Sequence, residues 1–368
     1  MNKVKTDSEV HTDLDPLSSA QQNCHGVTRK DSIEKLIKQE KQVDQYIENG
    51  RKELALKLLY DLIITYAKAK DFTKAESLRE RLIHIDSMAL SKIVNSAEII
   101  EQEKSEIIDA RQRGLWKQLY SLLTTEEGNA FYFAVKKLSL GPDKAIIKQG
   151  KLNDKLFFID KGTLKLICQQ GEEEHFIKQI NMGETVGGDT FFSISVCTTS
   201  VITKNCVQLS YLDRFTLQKL GEKFYGLENK LQDFSFKSGE KIEDLLKKKG
   251  IERRRFKRYK ATGTIDTQFI DKNGTLVGRP IQGLLEDVCE GGVSCFIKCS
   301  NKSSARLLLG RPVQIKMSFL KDGSHMTVTT NGLIVGAKCR FFNDYTMNVR
   351  FSNLFPEAQI REWIVFSS

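Results

Sequence analysis

The sequence predicts a multidomain α+β protein with N-terminal α-helical hairpins, a central β-roll and a C-terminal six-stranded antiparallel β-barrel. Residues 31–122 contain no proline and repeat their apolar residues at three- and four-residue spacing, which is typical of successive helices. After about Leu138, short β-type runs alternate with Gly and Asp turn signals, which indicates a roll or sandwich. A second series of short strands covers 259–354, and PEAQIREWIVF then closes the chain as a helix with Pro356 at its start.

These changes of pattern give five segments along the chain. The first is polar, has no hydrophobic period and cannot offset the entropy of ordering, so it is expected to be a disordered tail. The stretch LENKLQDFSFKSGEKIEDLLKKKG is amphipathic and is expected to form one continuous helix that ends at Gly250. The expected segments are a tail over 1–30, a helical module over 31–122, a β-roll over 123–226, a linker helix over 227–250 and a barrel over 251–368.

The helical module contains one hairpin-like pattern. Residues 58–86 read as two helices separated by a break at Lys70 and Asp71, with the small residues Ala67 and Ala75 allowing close approach. This pattern resembles a single tetratricopeptide-type hairpin. Stacked repeats need about three copies for stability. Two alternatives stay open: a hairpin that packs on its neighbouring helices, and a module that binds an unidentified protein partner.

Composition narrows the class of function. A net charge of +10 and a pI near 9.0 favour an anionic partner: nucleic acid, a membrane surface or a phosphorylated small molecule. No segment has the ~18 uncharged apolar residues of a membrane span, and no signal peptide is evident, so we expect a cytoplasmic protein. The eight cysteines form no CxxC pair, which argues against zinc. No P-loop, GxSxG or HExxH pattern is present, so we expect neither an enzyme nor a bound cofactor.

The middle segment carries a family resemblance. The run LSLGPDKAIIKQGKLNDKLFFIDKGTLKLI, its lead-in TTEEGNAFYFAVKKL and the later INMGETVGGDTFF resemble the cyclic-nucleotide-binding fold. Gly150, Gly162, Gly183 and Gly187 fall at turn glycines of that family. The resemblance implies a β-roll with a short phosphate-binding cassette.

The cassette departs from the binding members of the family. In those members a Glu accepts from the ribose 2′-hydroxyl, and Gly188 stands at its position here, followed by Asp189. An Arg binds their cyclic phosphate, and Thr198 stands at its position here. Backbone amides after Gly187 and the hydroxyls of Thr198, Thr199 and Ser200 are the remaining candidates for holding a phosphate. Either this domain binds a cyclic mononucleotide such as cAMP, or it is a degenerate scaffold for homodimerisation or for relaying strain.

A basic segment precedes the predicted barrel. KKKGIERRRFKRYK (247–260) holds nine basic residues and one acid, Glu252. With Arg254 and Arg258 in RxxxR spacing, and with Asp287 and Gly292 in the later DVCEGG, the C-terminal third resembles the PilZ family of cyclic di-GMP receptors. A solvated basic linker is the alternative for the segment taken alone.

The resemblance implies roles for these residues. Arg254 and Arg258, with the adjacent Arg253, would bind phosphate and stack on guanine, and Asp287 would accept from guanine N–H groups. Gly292 would let the backbone turn beneath the ligand. Cys289 stands where the family has Ser, and its weak thiol donor is expected to cost ~0.5–1.5 kcal/mol of ligand binding.

The sequence therefore predicts a cyclic di-GMP effector with a degenerate cyclic-mononucleotide-type domain. One alternative is a nucleic-acid-binding transcription regulator, although the C-terminus shows strands and no helix-turn-helix pattern. The other is a structural adaptor with vestigial nucleotide pockets.

Overall fold

The computed structural model describes residues 19–237, 242–251, 255–321, 324–341 and 343–365. The chain divides into two compact units between Asp109 and Ala110. The sequence placed this boundary after residue 122, but the helices that follow Ala110 belong to the second unit because Trp116 and Leu119 are buried in its core. None of the described helices is both long enough and apolar enough to cross a membrane.

In the described part of the first unit, four helices bring their apolar stripes together in one core. Lys70, with a positive φ of 63°, ends one helix, and the Asp71 side chain caps the next by accepting from the Lys74 amide. Ala67 and Ala75 are fully buried between these two helices. The predicted hairpin is confirmed as a pair of packed helices, and nothing further supports the tetratricopeptide resemblance. The helices are α1 Ser19–Glu48, α2 Lys52–Lys68, α3 Phe72–Ile85 and α4 Leu90–Ile107.

The predicted tail overlaps the first helix. Residues 1–18 lie outside the described part of the chain, whereas residues 19–30 continue α1 toward its N-terminus. The segment contains no proline, and extending a helix that is already nucleated costs much less than starting one. This extension was not predicted because residues 19–30 have no hydrophobic period.

The second unit begins with a roll of two four-stranded antiparallel sheets. The strand orders are β1-β8-β3-β6 and β2-β7-β4-β5. Ile159 and Leu209 of one sheet meet Leu164 and Leu166 of the other in the core between them. Its elements are α5 Ala110–Leu115, α6 Lys117–Tyr120, α7 Thr125–Ala134, β1 Lys136–Leu140, β2 Ala145–Ile147, β3 Lys155–Lys161, β4 Leu164–Gln170, β5 Glu173–Ile180, β6 Thr185–Val186, α8 Gly188–Phe191, β7 Ser200–Thr203 and β8 Val207–Asp213.

Three helices follow the roll: α9 Arg214–Lys223, α10 Leu227–Lys237 and α11 Ile242–Lys248. The predicted continuous linker helix corresponds to α10 and α11, and residues 238–241 between them lie outside the described residues. Leu231 of α10 packs with Phe158 on the helical side of the roll, whereas Leu246 of α11 packs into the core between the two sheets. Both helices are therefore part of the roll domain, because their apolar stripes are buried in its two cores.

The C-terminal strands form a closed antiparallel ring. β10 pairs with both β11 and β13, so the order β10-β13-β14-β15-β12-β11 returns to its start, and β9 pairs with one end of β11. The predicted closing helix after Pro356 is confirmed, and its Trp363 is fully buried against Phe319 inside the ring. The elements are β9 Tyr259–Lys260, β10 Thr264–Ile270, β11 Leu276–Cys289, β12 Gly292–Lys298, α12 Lys302–Leu308, β13 Pro312–Lys321, β14 Ser324–Phe341, β15 Asp344–Phe351 and α13 Glu357–Val365.

Candidate functional site

The outer face of the ring carries a polar cluster. On β12 and β15, alternate residues such as Val293 and Met347 point into the core, so the residues between them face outward. Ser294 and Asn348 are paired across these strands on that outward side. Asp287 of β11 is paired with Ser294 beside them. We call the surface formed by Asp287, Ser294, Thr346 and Asn348 the outer polar face.

Arg258 lies on the outer polar face. Its Nη1 donates to Asp287 Oδ1 at 3.2 Å and to Ser294 Oγ at 3.1 Å, and Ser294 Oγ donates to Asn348 Oδ1 at 2.8 Å. The ion pair is open to solvent, with Arg258 37% and Asp287 18% exposed. Exposed pairs of this kind contribute ~0.2–1 kcal/mol, so a stronger anion can displace the carboxylate.

The rest of the basic segment is only partly described. Arg253 and Arg254 lie outside the described residues, so Arg258 is the only arginine of the predicted RxxxR pair with a described position. Arg255 stacks on the Phe256 ring at 5.2 Å. Phe256 in turn packs on Gly291, where an added Cβ would come within 2.9 Å of the ring. This aromatic contact fixes the segment at the end of β11, next to the outer polar face.

Cys289 and Gly292 lie at the turn between β11 and β12. The two residues are paired directly, and Cys289 is half-buried as a free thiol. A Cβ on Gly292 would lie 2.5 Å from the Val349 carbonyl oxygen. The sequence predicts a close turn beneath a ligand at Gly292. In the structure the glycine is required by β15, because the β15 backbone approaches it closely in the sheet.

The cassette of the roll is closed by its own neighbours. Gly187 has a φ of +86°, and its Cβ would lie 2.7 Å from Asn153 Nδ2. A Cβ on Gly188 would lie 2.0 Å from the Ser235 hydroxyl of α10. The family's ribose-binding Glu therefore has no room at this position unless α10 moves.

The predicted phosphate ligands of the cassette are buried, half-buried or already hydrogen-bonded within the protein. Thr199 is buried, Thr198 is half-buried and the Ser200 hydroxyl accepts from the Gln149 amide at 2.9 Å. Asp189 is half-buried, and its carbonyl accepts from the Ser193 hydroxyl. The stretch from Gly187 to Ser200 contains no Lys or Arg. The described contacts therefore provide no charged clamp for a cyclic phosphate within the cassette.

The end of the cassette is paired with the ring. The Val196 amide donates to the Val335 carbonyl at 3.0 Å, and the Ala337 amide donates to the Ile194 carbonyl at 2.8 Å. Ser195 and Gly336 form an antiparallel bridge. The Ile194 side chain is 6% exposed and belongs to the hydrophobic core of the ring. Residues 194–196 thus extend the ring sheet along the part of β14 that β13 does not reach.

Two arginines hold the carbonyl end of α8. Arg306 of α12 donates to the carbonyls of Phe191 and Phe192 at 3.5 and 3.4 Å, and Arg214 donates to the Phe191 carbonyl. Burial and the neighbouring Arg306 lower the pKa of Arg214 to about 10. Cations are favourable at the carbonyl end of a helix. Neither arginine was predicted from the sequence, because no local pattern connects them with the cassette.

Comparisons with known proteins give weak similarities only. No protein-family model and no curated protein sequence matches the chain. Solved structures with some similarity include cAMP-bound PfPKA-R, at 17% identity and TM-score 0.33 over 42% of this chain and 50% of that one. A cyclic nucleotide-binding domain from Methylobacillus flagellatus has 18% identity and TM-score 0.29 over 36% of this chain and 70% of that one. The sensor domain of the transcriptional regulator DNR from Pseudomonas aeruginosa has 13% identity and TM-score 0.30 over 38% of this chain and 92% of that one.

These similarities do not identify a ligand. The chain spans about half the length of PfPKA-R. The matched structures are described as cyclic-nucleotide-binding or regulator sensor domains, but their scores are too low to transfer any contact to this chain.

Proposed function

We propose that this protein is a cyclic di-GMP effector whose ligand binds on the outer polar face, around Arg258 and Asp287. One observation carries the proposal. Arg258 and Asp287 are 29 residues apart in sequence, yet the guanidinium lies 3.2 Å from the carboxylate. The PilZ resemblance requires that its two motifs meet on one surface of the strands, and this contact supports that requirement.

The ion pair suggests how the ligand would bind. A phosphodiester of cyclic di-GMP would replace the Asp287 carboxylate on Arg258, forming charge-assisted hydrogen bonds with planar guanidinium geometry. The freed carboxylate would then accept from the N1–H and N2–H groups of a guanine. Ser294 would remain beneath Arg258 and keep its guanidinium oriented. Arg253 and Arg254 would add further phosphate or stacking contacts.

In this proposal the roll is a docking platform for the ring. Its cassette already contributes hydrogen bonds to β14, and its Phe191 and Phe192 carbonyls accept from Arg306. A cyclic mononucleotide that bound to the cassette would have to displace these contacts. The cassette has no Lys or Arg that could bind the phosphate and so offset their loss. We therefore assign ligand recognition to the ring.

Calorimetric titration of the full chain with cyclic di-GMP tests the proposal. We expect binding, and we expect Arg258→Ala to weaken it by at least tenfold because a charge-assisted contact is lost. Arg279→Ala is a matched control: it removes an exposed arginine from the same strand, eight residues from Asp287. At ~3.3 Å per residue it lies about 26 Å away and should leave the affinity unchanged.

Two results would contradict the proposal. One is the absence of heat on addition of cyclic di-GMP to the folded protein, and the other is equal affinity of the two arginine variants. Parallel titrations with cAMP and with a DNA duplex separate the alternatives. Duplex binding that weakens steeply with salt, without any response to cyclic di-GMP, would favour the nucleic-acid-binding regulator.

A further inference from the structure

A second arginine, Arg340, crosses the outer polar face. Its Nε donates to Thr346 Oγ1 at 2.9 Å, and its Nη2 donates to Glu286 Oε1 at 3.0 Å. The register of β14 shifts between Cys339 and Phe341, and that of β11 shifts between Leu285 and Asp287. Both partners of the ion pair thus lie at β-bulges, which re-aim side chains relative to a regular strand.

The pair formed by Arg340 and Glu286 lies beside the pair formed by Arg258 and Asp287. Glu286 directly precedes Asp287, so the two carboxylates are neighbours in the chain. Thr346 beneath Arg340 and Ser294 beneath Arg258 are diagonal cross-strand neighbours, since Ser294 pairs with Asn348 two residues along. Diagonal neighbours on one face are ~7–8 Å apart. The hydroxyls that hold the two guanidinium groups are therefore neighbours on the outer polar face.

An exposed aromatic residue lies next to this second pair. Phe296 pairs with Thr346 on one side and with Leu284 on the other. Phe296 is 38% and Leu284 59% exposed, so both offer apolar surface to solvent beside the two arginines. An aromatic ring can stack on any nucleobase, because every base has a π-face. The surface thus combines two cations with a stacking platform.

We infer that Arg340 binds the second phosphate of a cyclic dinucleotide and that Phe296 stacks on one of its bases. The inference rests on the proposed function and explains why the ligand would carry two phosphates. A ligand with two phosphodiesters can release both arginines from their carboxylates, whereas a cyclic mononucleotide can release only one. Glu286 acts in this scheme as an internal competitor that holds Arg340 in place until the ligand arrives.

Titrations of the full chain with cyclic di-GMP test the inference. Arg340→Ala should weaken binding by about tenfold or more, because charge-assisted phosphate contacts are the stronger class of hydrogen bond. Glu286→Gln should leave binding unchanged or tighten it several-fold, because it weakens the internal competitor. If the pair were only structural, breaking it from either side would weaken binding. Phe296→Ala should weaken binding by about tenfold through loss of stacking.

The outcomes separate this inference from the proposed function. If the unmodified protein does not bind cyclic di-GMP, the proposed function fails. If the unmodified protein binds and Arg258→Ala weakens binding, but Arg340→Ala equals the Arg279→Ala control, then only the inference is overturned. Equal weakening by Arg340→Ala and Glu286→Gln also overturns it. Should Arg340→Ala fail to fold, Glu286→Gln decides alone: unchanged or tighter binding supports the inference and weaker binding overturns it.

Discussion

The contact between the cassette and the ring leads to a prediction about stability. Ile194 belongs to the roll by sequence, yet its side chain is buried in the core of the ring. Ile194→Ala removes three carbons, which at ~0.8 kcal/mol each amounts to about 2.4 kcal/mol of lost burial. The cavity left behind brings the expected loss of unfolding free energy to about 2–4 kcal/mol. With a urea m-value of about 2 kcal/mol per molar, the midpoint should fall by about 1–2 M.

The chain provides a local probe for this experiment. It has two tryptophans, Trp363 in the ring core and Trp116 in the helical core of the roll. In a Trp116→Phe background, fluorescence during urea unfolding reports on the ring. Leu307→Ala also removes three carbons, but from a side chain that is 77% exposed, and should change stability by no more than about 0.5 kcal/mol. An unchanged Trp363 midpoint in Ile194→Ala would refute the assignment of this segment to the ring core.

Three further predictions concern other contacts. Burial alone would raise the pKa of Asp213, but hydrogen bonds from Lys136 and Thr216 outweigh it and hold the pKa at about 2. Its stabilising effect is therefore fully present above the unfolded pKa near 3.8 and is lost as pH falls through the folded pKa of about 2. Asp213→Asn should cost about 1 kcal/mol in urea unfolding at pH 7 and clearly less at pH 2, where half of the folded-state carboxyl is protonated. Gly188→Ala should lower the melting temperature through its clash with the Ser235 hydroxyl, and Ser235→Ala should restore part of the loss; no recovery would contradict this contact. Cys289→Ser should tighten cyclic di-GMP binding by up to about tenfold in calorimetry, because a hydroxyl is the better donor, whereas weaker binding would show that the thiol is needed for packing.

The sequence predicted the features that depend on local chemistry. The break at Lys70 and Asp71 and the helix after Pro356 follow from capping and from the fixed φ of proline. The two β regions followed from turn signals and short apolar runs. The family resemblance gave Arg258 and Asp287 separate ligand roles, and their contact with each other at 3.2 Å was not predicted.

Features that depend on long-range packing could not be predicted. Arg306 and Phe191 are 115 residues apart, and Arg340 and Glu286 are 54 apart, with no periodic pattern to connect them. The first contact joins the ring to the roll, and the second joins β14 and β11, which lie in the same sheet of the ring. Side chains at bulges, such as Arg340, are especially hard to place, because a shift of one residue reverses which face of a strand a side chain occupies.

Amide hydrogen exchange of the full chain, with and without cyclic di-GMP, tests the central claim most directly. We expect the ligand to increase protection in 255–260 and in the β11–β12 hairpin around Asp287, where it would contact the outer polar face. Because residues 194–196 are hydrogen-bonded to β14, their exchange should slow as well. Protection confined to the cassette of the roll, or no change anywhere in the chain, would contradict a cyclic di-GMP site on the ring.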